Sequence, residues 1–148
     1  MTVDYIVSSL PALGFDAPAP LSWERFVAAC GGTPPDAARW TDLEIQLRNA
    51  MAEARGGEKY RRPADGCSVY WKNRVLACFQ ERDPLRRETL LDRTWWDAAG
   101  EMTDVAAPLG RGALLTYAIR LKIALKRSKI STDAGNAAFD RLTAETKR

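Results

Sequence analysis

The chain of 148 residues contains no histidine. That absence removes the side chain that titrates near neutrality, the Ser–His and Cys–His dyads, and the commonest metal ligand. Cysteine is scarce. Cys30, Cys67 and Cys78 stand 37 and 11 residues apart, which is no zinc-ligand spacing, and an odd number cannot pair completely. The three read as reduced, buried small hydrophobes of a cytosolic protein. There is no Walker-type loop, no strand-linked Gly-x-Gly-x-x-Gly and no His-Glu-x-x-His. Gly31-Gly32 and Gly56-Gly57 follow apolar helical stretches and lack a downstream Lys-Ser/Thr, so they read as helix stops. The chain is therefore expected to be no enzyme and to hold no metal, nucleotide or other cofactor.

Long apolar runs are also missing. A membrane span needs about 18 apolar residues, and the longest apolar-rich stretch, Leu114 to Leu125, is interrupted by Arg120 and Lys122. Met1 to Gly14 lacks the basic start of a signal peptide. A cytoplasmic location is expected, with any relation to a membrane peripheral or through a partner.

What is present is a hydrophobic fraction of 46% in a length that fits one domain over residues 1–148. Lys+Arg number 22 against 19 Asp+Glu, a net charge of +3 that is too mild for a protein that mainly grips phosphate backbones. The charge is uneven. Residues 111–148 hold nine cations and three carboxylates, net +6, whereas residues 1–110 hold 13 and 16, net −3. The basic end suits an anionic partner surface, or a solvated face whose counter-charges lie across the fold.

The periodicity is helical, and the class expected is all-α, a bundle of about five to seven helices over residues 21–148 preceded by a segment and loop over 1–20. Ser22 caps a helix with Glu24 in its first turn and Leu21 and Phe26 at the staple positions. Thr33 is expected to cap the next, with Pro34 at its first position, over about residues 35–55. Trp40, Leu43, Leu47, Ala50, Met51 and Ala54 make its apolar stripe, and Glu44 to Arg48 is a favourable i,i+4 pair. After a charged loop from Glu58 to Gly66, Trp71, Val75, Cys78 and Phe79 form another stripe. Asp83-Pro84 opens a helix carrying Leu91, Trp95 and Ala98 or Ala99 on one face, and Gly100 closes it. Pro108-Leu109-Gly110 is a break. From Ala113 the next helix is apolar on nearly all sides, as buried helices are. Its wide sector holds Leu114, Tyr117, Ala118, Leu121 and Leu125; a second holds Ile119, Ile123 and Ile130, with Lys122, Lys126 and Lys129 between them. Ser131 or Thr132 is expected to cap a last helix with Ala134, Ala138, Phe139 and Leu142 inward. The expected core is Trp40, Leu43, Leu47, Trp71, Leu91, Trp95, Leu114, Leu121 and Leu125.

Candidates for chemistry are few. Asp92 and Asp97, or Asp140 and Glu145, lie five residues apart on a helix and do not share a face. In Trp95-Trp96 the two rings point about 100° apart, so one can be core while the other is half exposed as an interface anchor. Five tryptophans among basic residues suit a single-strand stacking platform, but Trp23, Trp40, Trp71 and Trp95 each lie on an apolar stripe, which favours core.

Tyr5-Ile6-Val7-Ser8-Ser9-Leu10-Pro11-Ala12-Leu13 resembles the Tyr-Leu-Val-Ala-Ser-Leu-Pro-x-Leu opening of a bacterial family encoded with V-type ATP synthase operons. That family is regarded as the counterpart of the C subunit of V-type ATPases, which is named d in eukaryotes. Leu43-Glu44-Ile45-Gln46-Leu47-Arg48-Asn49-Ala50 with the trailing Arg55 is similar to its Leu-Arg-Asn-x-Leu helix. The stretch from Asp83-Pro84-Leu85 through Glu88 and Leu91-Asp92 to Trp96-Asp97 resembles its Asn-Pro-Leu-x-x-Glu-x-x-Leu-Asp-x-x-Arg-Trp-Asp segment. Leu115 to Ile123 is similar to its Tyr-Ala-x-Lys-Leu helix, and the order is kept from Tyr5 to about Leu142. In this chain Thr94-Trp95 stands where the family has a basic residue before the Trp-Asp pair. The length also allows about one helical unit, where the archaeal-type protein is built of three.

The resemblance implies a mechanical role: a non-catalytic, funnel-shaped central-stalk protein that passes torque between the rotor shaft and the membrane proteolipid ring. It would bind no nucleotide and no nucleic acid, and would sit at the inner face of the cell membrane through its partners in the V-type ATPase. Two other readings compete, an unrelated helical adaptor and a nucleic-acid binder using the basic C-terminal third. The docking surface expected is the second sector and basic wedge of the long helix, Ile119, Lys122, Ile123, Lys126, Lys129 and Ile130, together with Trp96. The alternative is that Tyr5 to Leu13 folds back over the isoleucines.

Overall fold

Ser22, Ser68 and Asp83 each start a helix by accepting a hydrogen bond from a first-turn backbone N–H. A computed structural model describes the backbone of residues 2–146 and the side chains within it, apart from those of residues 58, 131–140 and 142–146. Six α-helices follow one another among the described residues: α1 Val3–Ser9, α2 Trp23–Ala29, α3 Ala38–Ala54, α4 Val69–Cys78, α5 Pro84–Ala99 and α6 Arg111–Thr146. The only pairing of extended backbone described is an isolated bridge between Asp104 and Ala107. The class is all-α, and no described helix is long and apolar enough to cross a membrane.

Both glycine pairs end helices as the sequence suggests. After α3, Gly56 takes φ +73° and its N–H reaches the Glu53 carbonyl, while the Gly57 N–H bonds the Ala52 carbonyl at 2.7 Å. Gly31, φ +89°, and Gly32 close α2 by the same pair of bonds to Ala28 and Val27. Both are Schellman closures, which side chains with a Cβ rarely adopt.

Three boundaries differ from expectation. Residues 3–9 are helical rather than a plain hydrophobic segment: seven residues are too few to hold a helix alone, and docking of Ile6 against α6 supplies the support. The third helix begins at Ala38, not near Thr33. Pro35 disfavours helical backbone at Pro34, and the first helical N–H is instead taken by Asp36 Oδ1 at 3.0 Å. No cap interrupts the chain at Ser131 or Thr132, because α6 runs through them as one helix of 36 residues, about 54 Å. The inward placing of Ala134, Ala138, Phe139 and Leu142 lies outside the described residues.

The core divides around α6. Trp40, Leu43 and Leu47 of α3, Trp71 and Val75 of α4, and Leu91, Ala98 and Ala99 of α5 meet Leu115 and Ile119 in one cluster. Ile6 of α1 and Phe26 of α2 meet Leu114, Ala118 and Leu121 in a second. A third, smaller one joins Phe15, Trp96 and Ala124. Of the expected core, Trp95 and Leu125 are only partly buried; the other seven are buried. The cysteines are all free thiols, but only Cys78 is buried; Cys30 is half-buried and Cys67, in the loop before α4, is exposed.

Candidate functional site

The surface expected to dock a partner is taken apart by the fold. Ile119 is 9% exposed inside the α3–α5 cluster, and Ile123 is partly buried between that cluster and Phe15. Ile119 and Ile123 therefore face this chain's own core of α3, α4 and α5 residues. Tyr5 to Leu13 does fold back onto α6, but over the neighbouring row, Leu114, Ala118 and Leu121. An apolar girdle on α6 follows from its two covered sides. Only Ile130, 51% exposed, remains as an outward isoleucine.

Trp96 is buried too, at 7%, and its neighbour Trp95 is the half-exposed ring. The reversal comes from the loop after α1. Phe15 descends from it to meet Trp96 edge to face at 5.6 Å, and covers a side of α5 whose helical stripe alone gives no sign of a neighbour. Phe15 is itself held beneath two guanidinium groups, Arg127 at 3.9 Å and Arg93 at 5.1 Å from the ring centre.

Lys126 is engaged within the chain. Its ammonium lies 2.9 Å from Asp92 Oδ1 and 3.0 Å from Glu88 Oε1, and these hydrogen bonds and charges raise its pKa despite burial. Asp92 is buried, with Arg127 3.6 Å from its other oxygen. Asp97 pairs with Arg93 one turn earlier and with Arg74 of α4. Asp92 and Asp97 thus serve different neighbours, as their spacing requires, and they tie α5 to α6 and to α4. Lys122 and Lys129 are exposed; the Lys122 ammonium rests 4.6 Å above the Trp23 ring.

The charged loop after α3 is pinned to that helix, an anchoring not anticipated from the sequence. Asn49 donates to the Arg62 carbonyl and accepts from its N–H, both at 2.8 Å. Asp42 accepts from Asp65 N–H at 2.6 Å and Gly66 N–H at 3.0 Å, and Gln46 accepts from Ser68 N–H. The bond from Gln46 and those backbone bonds hold the Asp42 carboxyl below its usual pKa. Lys59, Tyr60, Arg61 and Arg62 are exposed on the loop so pinned. The sequence signal for this is polar: Asp42, Gln46 and Asn49 recur at spacings of four and three on one side of the apolar stripe.

One groove of about 320 Å³ opens between α1, the residues after it, and the first turns of α6. Val7, Leu10, Leu13 and Pro108 give it apolar walls, and Arg120 and Trp96 reach it from α6 and α5. No group of three or more acidic or cysteine side chains that could hold a metal occurs among the described residues. Trp40, Trp71 and Trp96 are buried, and Trp23 and Trp95 pack against the core, so the indole rings form no exposed stacking row.

No family model matches this chain, and neither a curated protein nor a solved structure does.

Proposed function

We propose that the chain is a non-catalytic central-stalk component of a V-type rotary ATPase, a counterpart of its C subunit, acting between the rotor shaft and the proteolipid ring. One observation carries the reading: the separate stretches that resemble that family pack on one another. Ile6 of the first stretch meets Leu121 of the last. Leu43, Leu47 and Ala50 of the second share a cluster with Leu91 of the third and with Leu115 and Ile119 of the last. Glu88 and Asp92, both in the third, hold Lys126 just beyond the last. One scaffold built from these stretches is what the resemblance requires.

In this reading the docking face is Lys122, Lys129 and Ile130 on α6, turned to acidic or polar loops of the ring or to the shaft. Rim lysines speed encounter more than they tighten a complex, and their effect fades with salt. The test is the double variant Lys122→Glu/Lys129→Glu, with Lys126 left in place because Asp92 depends on it. Expressed with the other ATPase components, it should co-purify less well than the parent chain at low salt, with the difference narrowing at high salt. A folded double variant that co-purifies undiminished at both salts removes this face. A parent chain that co-purifies with none of the ATPase components removes the stalk role and leaves the helical adaptor.

A further inference from the structure

The groove beside α1 supports an inference independent of the stalk reading. Its volume of about 320 Å³ lies at the small end of the roughly 300–1,000 Å³ range of ligand sites. Most polar groups around it are already satisfied. The Tyr117 hydroxyl donates to the Pro11 carbonyl at 2.6 Å, and the Thr116 hydroxyl donates to the Ala99 carbonyl and meets Thr103 Oγ1, each at 2.8 Å.

Arg120 differs from them. Its Nε donates to the Trp96 carbonyl at 3.0 Å, and the guanidinium lies 5.3 Å from the centre of the Trp96 ring. Asp97, the carboxylate that acts on it, has one oxygen taken by Arg74 and the other by Arg93. Burial, with repulsion from Arg93, lowers the Arg120 pKa against the pull of Asp97. The side chain also has room reserved for it: a Cβ on Gly100 would lie 2.9 Å from Arg120 Nη2. A half-buried cation with no carboxylate in contact among the described residues, at the edge of an apolar groove, is suited to a ligand that is anionic at one end and apolar along its body.

We propose that this groove binds a small apolar monocarboxylate, its carboxylate on the Nη atoms of Arg120 and its hydrocarbon body between Val7, Leu10, Leu13 and Pro108. The planar guanidinium matches a carboxylate through two parallel hydrogen bonds, and low local polarity strengthens them. An alcohol of the same length would fill the walls and leave the cation unmatched. Acetate would match the cation and leave the walls empty.

Isothermal titration of the full chain with octanoate, 1-octanol and acetate separates these contributions. Octanoate should bind at least tenfold more tightly than either of the others. Arg120→Gln should bring octanoate down to the affinity of octanol, and Ala113→Leu, which adds bulk to a lining residue about two helical turns from Arg120, should weaken octanoate and octanol alike. Should Arg120→Gln not fold, Ala113→Leu and the three-ligand comparison in the parent chain decide. Equal affinity for octanoate and octanol, no octanoate binding below its micellar concentration, or binding unchanged by Ala113→Leu or by a folded Arg120→Gln overturns the proposal.

Discussion

The backbone carbonyl of Met102 lies against the bare Cα of Gly112, so close that a Cβ added at Gly112 would sit 2.0 Å from the oxygen. This contact joins the short 3-10 turn after α5, Gly100–Met102, to the first turn of α6. It fixes where the long helix begins relative to α5.

Gly112→Ala should therefore destabilise the chain although alanine is the better helix former. Backbone on one side and backbone on the other leave no flexible side chain to yield. Overpacking typically costs about 1–3 kcal/mol, and this site belongs at the upper end. Urea unfolding should show a lower midpoint with the slope unchanged. A midpoint equal to or above the parent's would mean that the two segments part readily.

Leu121 is fully buried between α1, α2 and α6. Leu121→Ala should cost about 2–5 kcal/mol, the range for large-to-small changes in a closed core. Leu125→Ala, on the same row but only partly buried, should cost less. Chemical denaturation of the two variants side by side checks the order.

Lys126→Met should cost more than Lys129→Met. Removing one partner of a fully buried ion pair costs about 3–5 kcal/mol. Lys126 is half exposed and Arg127 stays near Asp92, which reduces the expectation to about 1–3 kcal/mol. The Lys129 change should fall within about 0.5 kcal/mol of the parent, as most surface substitutions do. Equal losses would show that Asp92 draws nothing from Lys126.

Tyr117 should make the fold sensitive to alkali. Burial raises its pKa from 10.0 to about 12, so the folded chain keeps the phenolic proton over a range where the unfolded chain releases it. Its contribution is whole below pH 10 and is lost as the pH climbs from about 10 to 12. Absorbance titration should find one tyrosine ionising well above the ordinary value of 10.0. Tyr117→Phe should remove that late step and flatten the fall in stability between pH 10 and 12.

Helices whose caps and stripes lie in adjacent residues were legible in the sequence. Ser22, Asp83-Pro84 and the two glycine pairs each act within four residues of the boundary they set. The same holds for the stripe of Trp40, Leu43 and Leu47. What escaped was set by distant segments. Nothing near α5 announces that Phe15 will cover Trp96, and nothing within α6 tells which of its two apolar rows meets α1 and which meets α3 to α5. Lys126 reads as a surface charge until α5 brings Glu88 and Asp92 beside it. The candidate site suffered most, because exposure is a property of the assembled chain and not of any one helix.

The two rows of α6 lie one residue apart: Leu114, Ala118 and Leu121 on one side, Leu115 and Ile119 on the other. Rolling the helix by about 100° would replace Leu114 with Leu115 and Ala118 with Ile119, an exchange among aliphatic side chains. At the third position the same roll would carry Lys122 into the place of Leu121, which is wholly enclosed. An ammonium unpaired in that setting is far costlier than any misfit of methyl groups. Lys122 thus acts as a stop on the axle, a solvent-facing charge that holds the setting together with Arg120, which the same roll would carry into the buried place of Ile119.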